Sequence, residues 1–170
     1  MISILNDIRS LLVRDLETMA REIAMFPDDE AIWKTPDGIT NPAGTLVLHV
    51  CGNLKHFIGT VLGGTGYVRN RPAEFSERMA SRQTLIEELN ETIAIVEDVV
   101  PSVAESELNS LYPEQVGGFD QNTRLFLIHL CTHLAHHAGQ TGYLRRILTG
   151  DSNSSGPVSV QEIAISQGIN

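Results

Sequence analysis

The sequence predicts an all-helical protein folded as a four-helix bundle with long crossover connections. Four segments repeat apolar residues at steps of three and four, which is the spacing of one face of a helix. Alternation with a period of two, which indicates strands, is absent outside segment 100–120. The connections 25–41 and 63–80 are long, and long crossovers are typical of one group of helical bundles.

The first helix is predicted over about 3–24, and Pro27-Asp28-Asp29 follows its end. The second is predicted over about 42–62, with Asn41 as its N-cap, Pro42 at the first helical position and Gly63 to Gly66 as its stop. Its back is apolar, while the side that carries His49 is polar or small. We therefore expect this helix to be buried nearly all round. The apolar residues of its back are Val47, Cys51, Leu54, Ile58, Val61 and Leu62.

The third helix is predicted over about 81–99 and the fourth over about 123–148, with Pro101 and Gly150 beyond their ends. Segment 100–120 allows two interpretations. Ser102 and Glu105 have the spacing of a capping box, which favours a short helix. Gly117-Gly118 is instead typical of the turn of a small hairpin.

Composition excludes several classes of function. The chain has 170 residues, of which 42% are hydrophobic, and a formal net charge of -9. Its basic residues are scattered, which argues against nucleic acid or an anionic membrane as a partner. No run of 18 apolar residues, no leader and no disulfide framework is visible. The expected location is the cytoplasm.

All six histidines lie in the second and fourth predicted helices, and we expect them to point into the bundle. A helix turns about 100° per residue, so histidines four apart stand on one face and could hold one metal ion together. A third imidazole from the facing helix would leave an open fourth position, as in catalytic zinc sites. A buried histidine is otherwise usually a hydrogen-bonded core residue, but so many buried rings would be costly without a shared role. The six are His49, His56, His129, His133, His136 and His137.

Spacing alone leaves the ligand pair open, because His129/His133 and His133/His137 both have i, i+4 spacing. The His-Glu-x-x-His pattern is absent, so an ordinary zincin protease is excluded. Cys51 and Cys131 lie about 160° from the histidine stripes and are excluded as ligands.

The residues resemble a known family. Asn41-Pro-Ala-Gly-Thr-Leu-Val-Leu-His49-Val-Cys-Gly-Asn53-Leu, followed by His133-Leu-Ala-His-His137-Ala-Gly-Gln140, is similar to the DinB/YfiT-like metalloenzymes, and closest to an uncharacterised DinB-type subgroup. The resemblance covers about 1–150, which would be one bundle domain. Residues 151–170 would be a C-terminal tail, where Ser159 and Glu162 could cap a short helix.

The resemblance implies an up-down-down-up four-helix bundle, often a homodimer. It also implies one divalent metal per chain, zinc or nickel, held by His49, His133 and His137. Many relatives have arginine where this chain has Ala138. The apolar back of the second helix, with Gly52 and Gly59, independently favours a homodimer.

Other polar residues could surround such a site. His136 could pack beside the ligands, and His56 and His129 could line a cavity one turn away. Asn53 and Gln140 could orient a ligand ring or a bound water. Plain packing is an equally open role for each of the five. The cluster Arg69/Arg71/Glu74 and Trp33 lie in long connections, where they could border a substrate mouth, but the sequence favours solvated loops there.

The resemblance implies a metal-dependent enzyme of the thiol S-transferase type, which uses a small thiol such as glutathione, mycothiol or bacillithiol and a small-molecule substrate. A metal-binding, stress-associated dimer without chemistry is the alternative. A metal-dependent hydrolase is weaker, because no Asp or Glu lies on either histidine stripe to act as a base.

Overall fold

Helices make up nearly all regular structure in residues 3–156, 160, 161 and 163, which are the residues that the structure, a computed structural model, describes. The α-helices are α1 (Ile4–Ala24), α2 (Asp29–Ile32), α3 (Ala43–Leu54), α4 (Arg71–Ser76), α5 (Arg82–Val99) and α6 (Thr123–Thr149). The predicted all-helical fold is thus confirmed. No helix in these residues is long and apolar enough to cross a membrane. The cytoplasmic location stays a prediction.

The four long helices α1, α3, α5 and α6 contact one another in a ring. α1 packs against α5 and α6, and α3 packs against the same two helices from the other side. The apolar face predicted for α1 fills the centre, with Leu12, Leu16 and Met19 fully buried. This is the contact pattern of a four-helix bundle, and the up-down-down-up direction of its helices stays a prediction.

The ends of three long helices follow the sequence signals. The side chains of Ser3, Ser81 and Asn122 each accept a backbone N–H in the first turn of α1, α5 and α6. Gly150 ends α6 with a left-handed φ of 67°, a conformation that costs glycine little. The predicted cap of the second helix is wrong. Pro42 occupies the cap position of α3, without a side-chain hydrogen bond, and Asn41 lies before it.

The second predicted helix is not α-helical throughout. After Leu54 the chain continues as a π turn over Lys55–Thr60, with Val61 N–H donating to the His56 carbonyl. The buried Lys55 donates to Glu88 and Glu91 of α5, and the Tyr112 hydroxyl donates to the Phe57 carbonyl. As predicted, α3 is buried on nearly every side.

Both interpretations of segment 100–120 are correct in part. Two short 3₁₀ helices cover Val100–Ser102 and Glu105–Asn109. A small hairpin follows, with single bridges Leu111↔Asn122 and Val116↔Phe119 around Gly117-Gly118. In the tail, residues 160, 161 and 163 are helical, whereas the predicted caps at 159 and 162 lie outside the described residues.

A fully buried arginine joins α6 to α1 and to the segment after α6. Arg145 Nε donates to Glu22 Oε2 at 2.5 Å, and its other nitrogens donate to Asp151 and to the Asn153 carbonyl. Burial raises the pKa of Glu22, but hydrogen bonds from Arg145 and Ser155 and the charges of Arg145 and Arg146 outweigh burial and lower it.

Arg145→Met should therefore lower the free energy of unfolding by about 3 kcal/mol, because the buried carboxylate of Glu22 loses its close cation and keeps the charge of only the more distant Arg146. Urea denaturation at pH 7 measures this. Arg124→Met, at an exposed position of the same helix, is the matched control and should stay within about 0.5 kcal/mol of the unchanged protein.

The ion pair between Arg145 and Glu22 also makes the stability of the protein depend on pH. Because the folded pKa of Glu22 is below its ordinary value of 4.5, the ion pair stabilises the protein above that pH and loses its effect as pH falls through the folded pKa. The difference between Arg145→Met and the unchanged protein should shrink on acidification. A difference that is small at pH 7, or constant with pH, would contradict this role.

Candidate metal centre

Three imidazole rings meet between α3 and α6. His49 lies in the middle of α3, and His133 and His137 are one turn apart on α6. Nε2 of His133 is 3.2 Å from Nε2 of His49 and 3.2 Å from Nε2 of His137. One nitrogen from each ring fits within a span of 4.8 Å, and no other group of three or more such ligands occurs in the described part of the chain. The cluster is partly buried: His49 has 12% of its side chain exposed, and His133 and His137 have intermediate exposure.

The protons on these rings cannot account for both short contacts. The Glu74 carboxylate only accepts hydrogen bonds, so His49 carries its proton on Nδ1 and presents a lone pair at Nε2. Gln140 Oε1 lies 2.8 Å from Nδ1 of His137, which leaves a second lone pair at Nε2. Nε2 of His133 can carry at most one proton between these two partners. One contact is therefore without a proton, whereas a cation would attract all three nitrogens.

The spacing also fits a metal ion. Three nitrogens bound tetrahedrally to zinc at 2.0–2.1 Å lie about 3.3 Å apart. The Nε2 atoms of His49 and His137 each lie 3.2 Å from that of His133. Two of the rings, those of His133 and His137, are also held in the neutral form that metal binding requires. Burial and the neighbouring His137 and His49 lower the pKa of His133 to about 4, and burial likewise lowers that of His137 despite a hydrogen bond with Gln140.

A buried ion pair between Arg69 and Glu74 supports the ring of His49 on its Nδ1 side, away from the other two histidines. Glu74 accepts from Nδ1 of His49 at 3.0 Å and from Arg69 Nε and Nη2 at 2.7 and 2.9 Å. Burial alone raises the pKa of Glu74, but the hydrogen bonds from Arg69 and His49 outweigh it and hold the pKa below its ordinary value. Helix α4, capped by Asn70, places Glu74 and also Phe75, whose ring is 5.1 Å from that of His49.

Glu74 and Arg69 support the ring of His49, although the sequence favours a solvated loop for both. The loop prediction is wrong here, since Glu74 is only 5% exposed. A signal was present in Gly52, three residues after His49 on the same face. A Cβ at that position would overlap Oε1 of Glu74. Gly52 and Gly59 therefore make room within the chain, against Glu74 and Ile95, and no longer argue for a dimer.

The expectation that all histidines of α6 point into the bundle is wrong for two of them. His129 and His136 are exposed, and only His133 and His137 are partly buried. Ile147, an apolar residue on the same face as these histidines, is likewise 61% exposed. The buried face of α6 is centred about 90° further round the helix. It includes Leu127, Leu130, Leu134, Ala138, Thr141 and Arg145.

The remaining predicted residues lie around the cluster in different ways. The ring of His129 stacks on that of His133 at 5.9 Å, and the ring of His136 is 5.1 Å from that of His137. His56 pairs with Glu114 of the hairpin at 3.1 Å. Asn53 is buried and its Oδ1 has no hydrogen-bond partner among the described residues. Of these, only Gln140 makes a hydrogen bond to a ring of the cluster.

The two thiols do not take part in the cluster. Burial raises the pKa of Cys51 and of Cys131 to about 12, so both remain protonated at neutral pH. The Sγ of Cys131 faces the Ile8 carbonyl at 3.9 Å, in the core between α6 and α1. Both side chains are thus packing residues of the bundle.

Comparison with known proteins agrees with the fold and the motif. A conserved protein from Enterococcus faecalis has a crystal structure that matches with a TM-score of 0.71 at 16% sequence identity, over 89% of this chain and 100% of that one. At this identity the likeness shows the fold alone. No curated protein matches the chain.

The decisive finding is a family model. The model described as mycothiol-S-transferase matches residues 7–150, which include the three histidines of the cluster, Glu74 and Gln140. This family is DinB/YfiT-like, so the predicted relationship is confirmed. The chain belongs to the mycothiol S-transferase family of DinB-like proteins.

Proposed function

We propose that this protein binds one divalent metal ion through His49, His133 and His137 and is a metal-dependent thiol S-transferase. The observation that carries the proposal is the convergence of three imidazole Nε2 atoms: those of His49 and His137 each lie 3.2 Å from that of His133 and present lone pairs to it. Zinc or nickel suits three imidazoles. The family model supports the thiol-dependent reaction.

The ligand set favours an incoming anion. Three neutral imidazoles leave the charge of a divalent ion uncompensated. When bound, such an ion lowers the pKa of a coordinating thiol, and the thiolate is the reactive form. The thiolate sulfur would bond to the electrophilic carbon while that carbon's bond to its leaving group breaks, and the thiol proton and the leaving group would be released. His129, which is exposed and stacks on His133, is the residue we propose to carry that proton to solvent.

A groove beside the cluster could take the small-molecule substrate. It encloses about 320 Å³ between α3, α6 and the loop after α2. Gln140, which is bonded to His137, forms part of its wall, so the groove begins next to the cluster. Its walls are mostly apolar and contain no charged side chain, which suits a neutral apolar electrophile. The lining residues are Gly38, Ile39, Thr40, Asn41, Leu46, Gln140, Tyr143, Leu144 and Ile147.

The hydrolase alternative gains no support from the acidic groups near the cluster. Glu74 is the carboxylate in contact with it, and both of its oxygens are taken by Arg69 and His49 behind the ring. A general base has to reach the proton that it removes. A metal-binding, stress-associated dimer without chemistry is the second candidate that the tests below separate from the transferase.

The first test is the metal itself. We expect elemental analysis of the purified protein to give about one zinc or nickel ion per chain. His133→Ala should abolish binding, because His133 is the ring in contact with both others. His136→Ala, on the same helix but exposed, is the matched control and should keep the metal. Loss of metal in His136→Ala with retention in His137→Ala would show that the ligand pair is misassigned.

The second test is the reaction. The metal-loaded protein should accelerate attack of one common cellular thiol on a chromogenic electrophile such as chlorodinitrobenzene. Acceleration should vanish in His133→Ala and after treatment with a chelator, and it should persist in His136→Ala. If no thiol gives acceleration, and none changes the visible spectrum of the cobalt-substituted protein, the non-enzymatic alternative is preferred.

We also propose a homodimer, which now rests on the family resemblance and on the prevalence of two-fold symmetry in soluble oligomers. Light scattering at micromolar concentration should give twice the chain mass of 18.6 kDa. A mass of one chain, independent of metal loading, would rule the dimer out.

A further inference from the structure

We propose that Glu74 is a positioning residue of this metal centre, which fixes the tautomer and orientation of His49 and thereby couples metal binding to the order of α4. The inference rests on the proposed metal site and extends it to a segment that supplies no ligand. Three observations carry it: the hydrogen bonds of Glu74, the glycine opposite its carboxylate and the packing of α4 on His49.

The hydrogen bonds of Glu74 impose one tautomer on His49. A carboxylate has no proton to give, so the proton of the ring must lie on Nδ1, 3.0 Å from Oε2. The Nε2 lone pair then faces His133. Arg69 holds the carboxylate from two directions, through Nε to Oε1 and Nη2 to Oε2. Glu74 therefore stays charged and in place while it orients the ring.

The glycine shows that the approach of Glu74 is built into α3. Gly52 lies inside this helix, where glycine is less stabilising than alanine. A Cβ at that position would overlap Oε1 of Glu74 and lie 2.9 Å from its Cδ. An alanine would thus push the carboxylate away from the helix and from His49. The helix gives up stability at the point where Glu74 has to come close.

Helix α4 encloses His49 through two consecutive residues. Glu74 bonds to its Nδ1, and Phe75 lies against its ring at 5.1 Å. A metal ion on Nε2 makes the Nδ1 proton more acidic and strengthens its bond to a carboxylate. By linkage, metal binding must then stabilise the folded form of α4, and an ordered α4 must strengthen metal binding.

His137 provides an internal comparison. Its Nδ1 bonds to the amide of Gln140, a neutral acceptor on an exposed position of the same helix. Hydrogen bonds to charged acceptors are roughly twice as strong as those to neutral ones. The buried, charged partner of His49 should therefore affect metal affinity more than the exposed amide does, and Gln140→Ala should have the smaller effect.

The experiment measures cobalt affinity of the metal-free full-length protein by competition with a chromophoric chelator. Glu74→Gln should raise the dissociation constant for cobalt by about 10- to 100-fold, while one ion still binds per chain. Gly52→Ala keeps both functional groups but displaces the carboxylate, and it should weaken binding in the same direction. Glu97→Gln, at an exposed site on α5, is the matched control and should change affinity less than two-fold.

Amide hydrogen exchange tests the coupling. Saturating cobalt should slow exchange in Arg71–Ser76 in the unchanged protein and in Glu97→Gln, but much less in Glu74→Gln. A role confined to stability would appear as a lower midpoint of thermal unfolding in Glu74→Gln and Gly52→Ala with unchanged cobalt affinity, and that result would overturn the proposal. If the unchanged protein binds no better than His133→Ala, the metal site itself is wrong and the inference falls with it. If it binds well and Glu74→Gln binds equally well, only the role of Glu74 is wrong.

Discussion

The contact between Nε2 of His49 and Nε2 of His133, at 3.2 Å, constrains how far apart α3 and α6 can lie. Polar atoms that face each other so closely require rigid supports on both sides. α1 and α5 provide them, because each packs against α6 or α3 with a continuous apolar face. The outer side of α3 is covered by α4, which carries the carboxylate that fixes the ring of His49. The bundle core and the site are therefore parts of one packing arrangement.

Several buried polar groups keep the helices in this register. Arg145 meets Glu22 between α6 and α1, and Lys55 meets Glu88 between the π turn and α5. Each pair joins elements that are far apart in the chain, so each can form only when the bundle has its final arrangement. Such pairs add little net stability, but breaking one leaves a costly unpaired charge, which discriminates against a slipped packing.

Local patterns explain which parts of the structure could be predicted from the sequence. Periodicity and caps act within one or two turns, so the four long helices were found to within a few residues, apart from the π turn after Leu54. Spacing and the family resemblance also indicated His133 and His137. The side chains that contact residues of these helices can be far away in the sequence, where local patterns give no signal. Glu74 is 25 residues from His49, and Glu22 is 123 residues from Arg145. The misplaced face of α6 has a different cause. Ile147 looks like a core residue by hydrophobicity, yet 61% of it is exposed beside the groove.

The π turn over Lys55–Thr60 has a consequence for how chains of this fold should be aligned. A π turn holds one residue more than an α turn, since its hydrogen bonds close at i+5 instead of i+4. Deleting one residue from it would restore an α turn and leave the chain on either side in place. A gap inside this helix is therefore structurally tolerable, although helices are normally aligned without gaps. Between His49 and Gly63, relatives should therefore be compared by spatial position even where their residue counts differ by one.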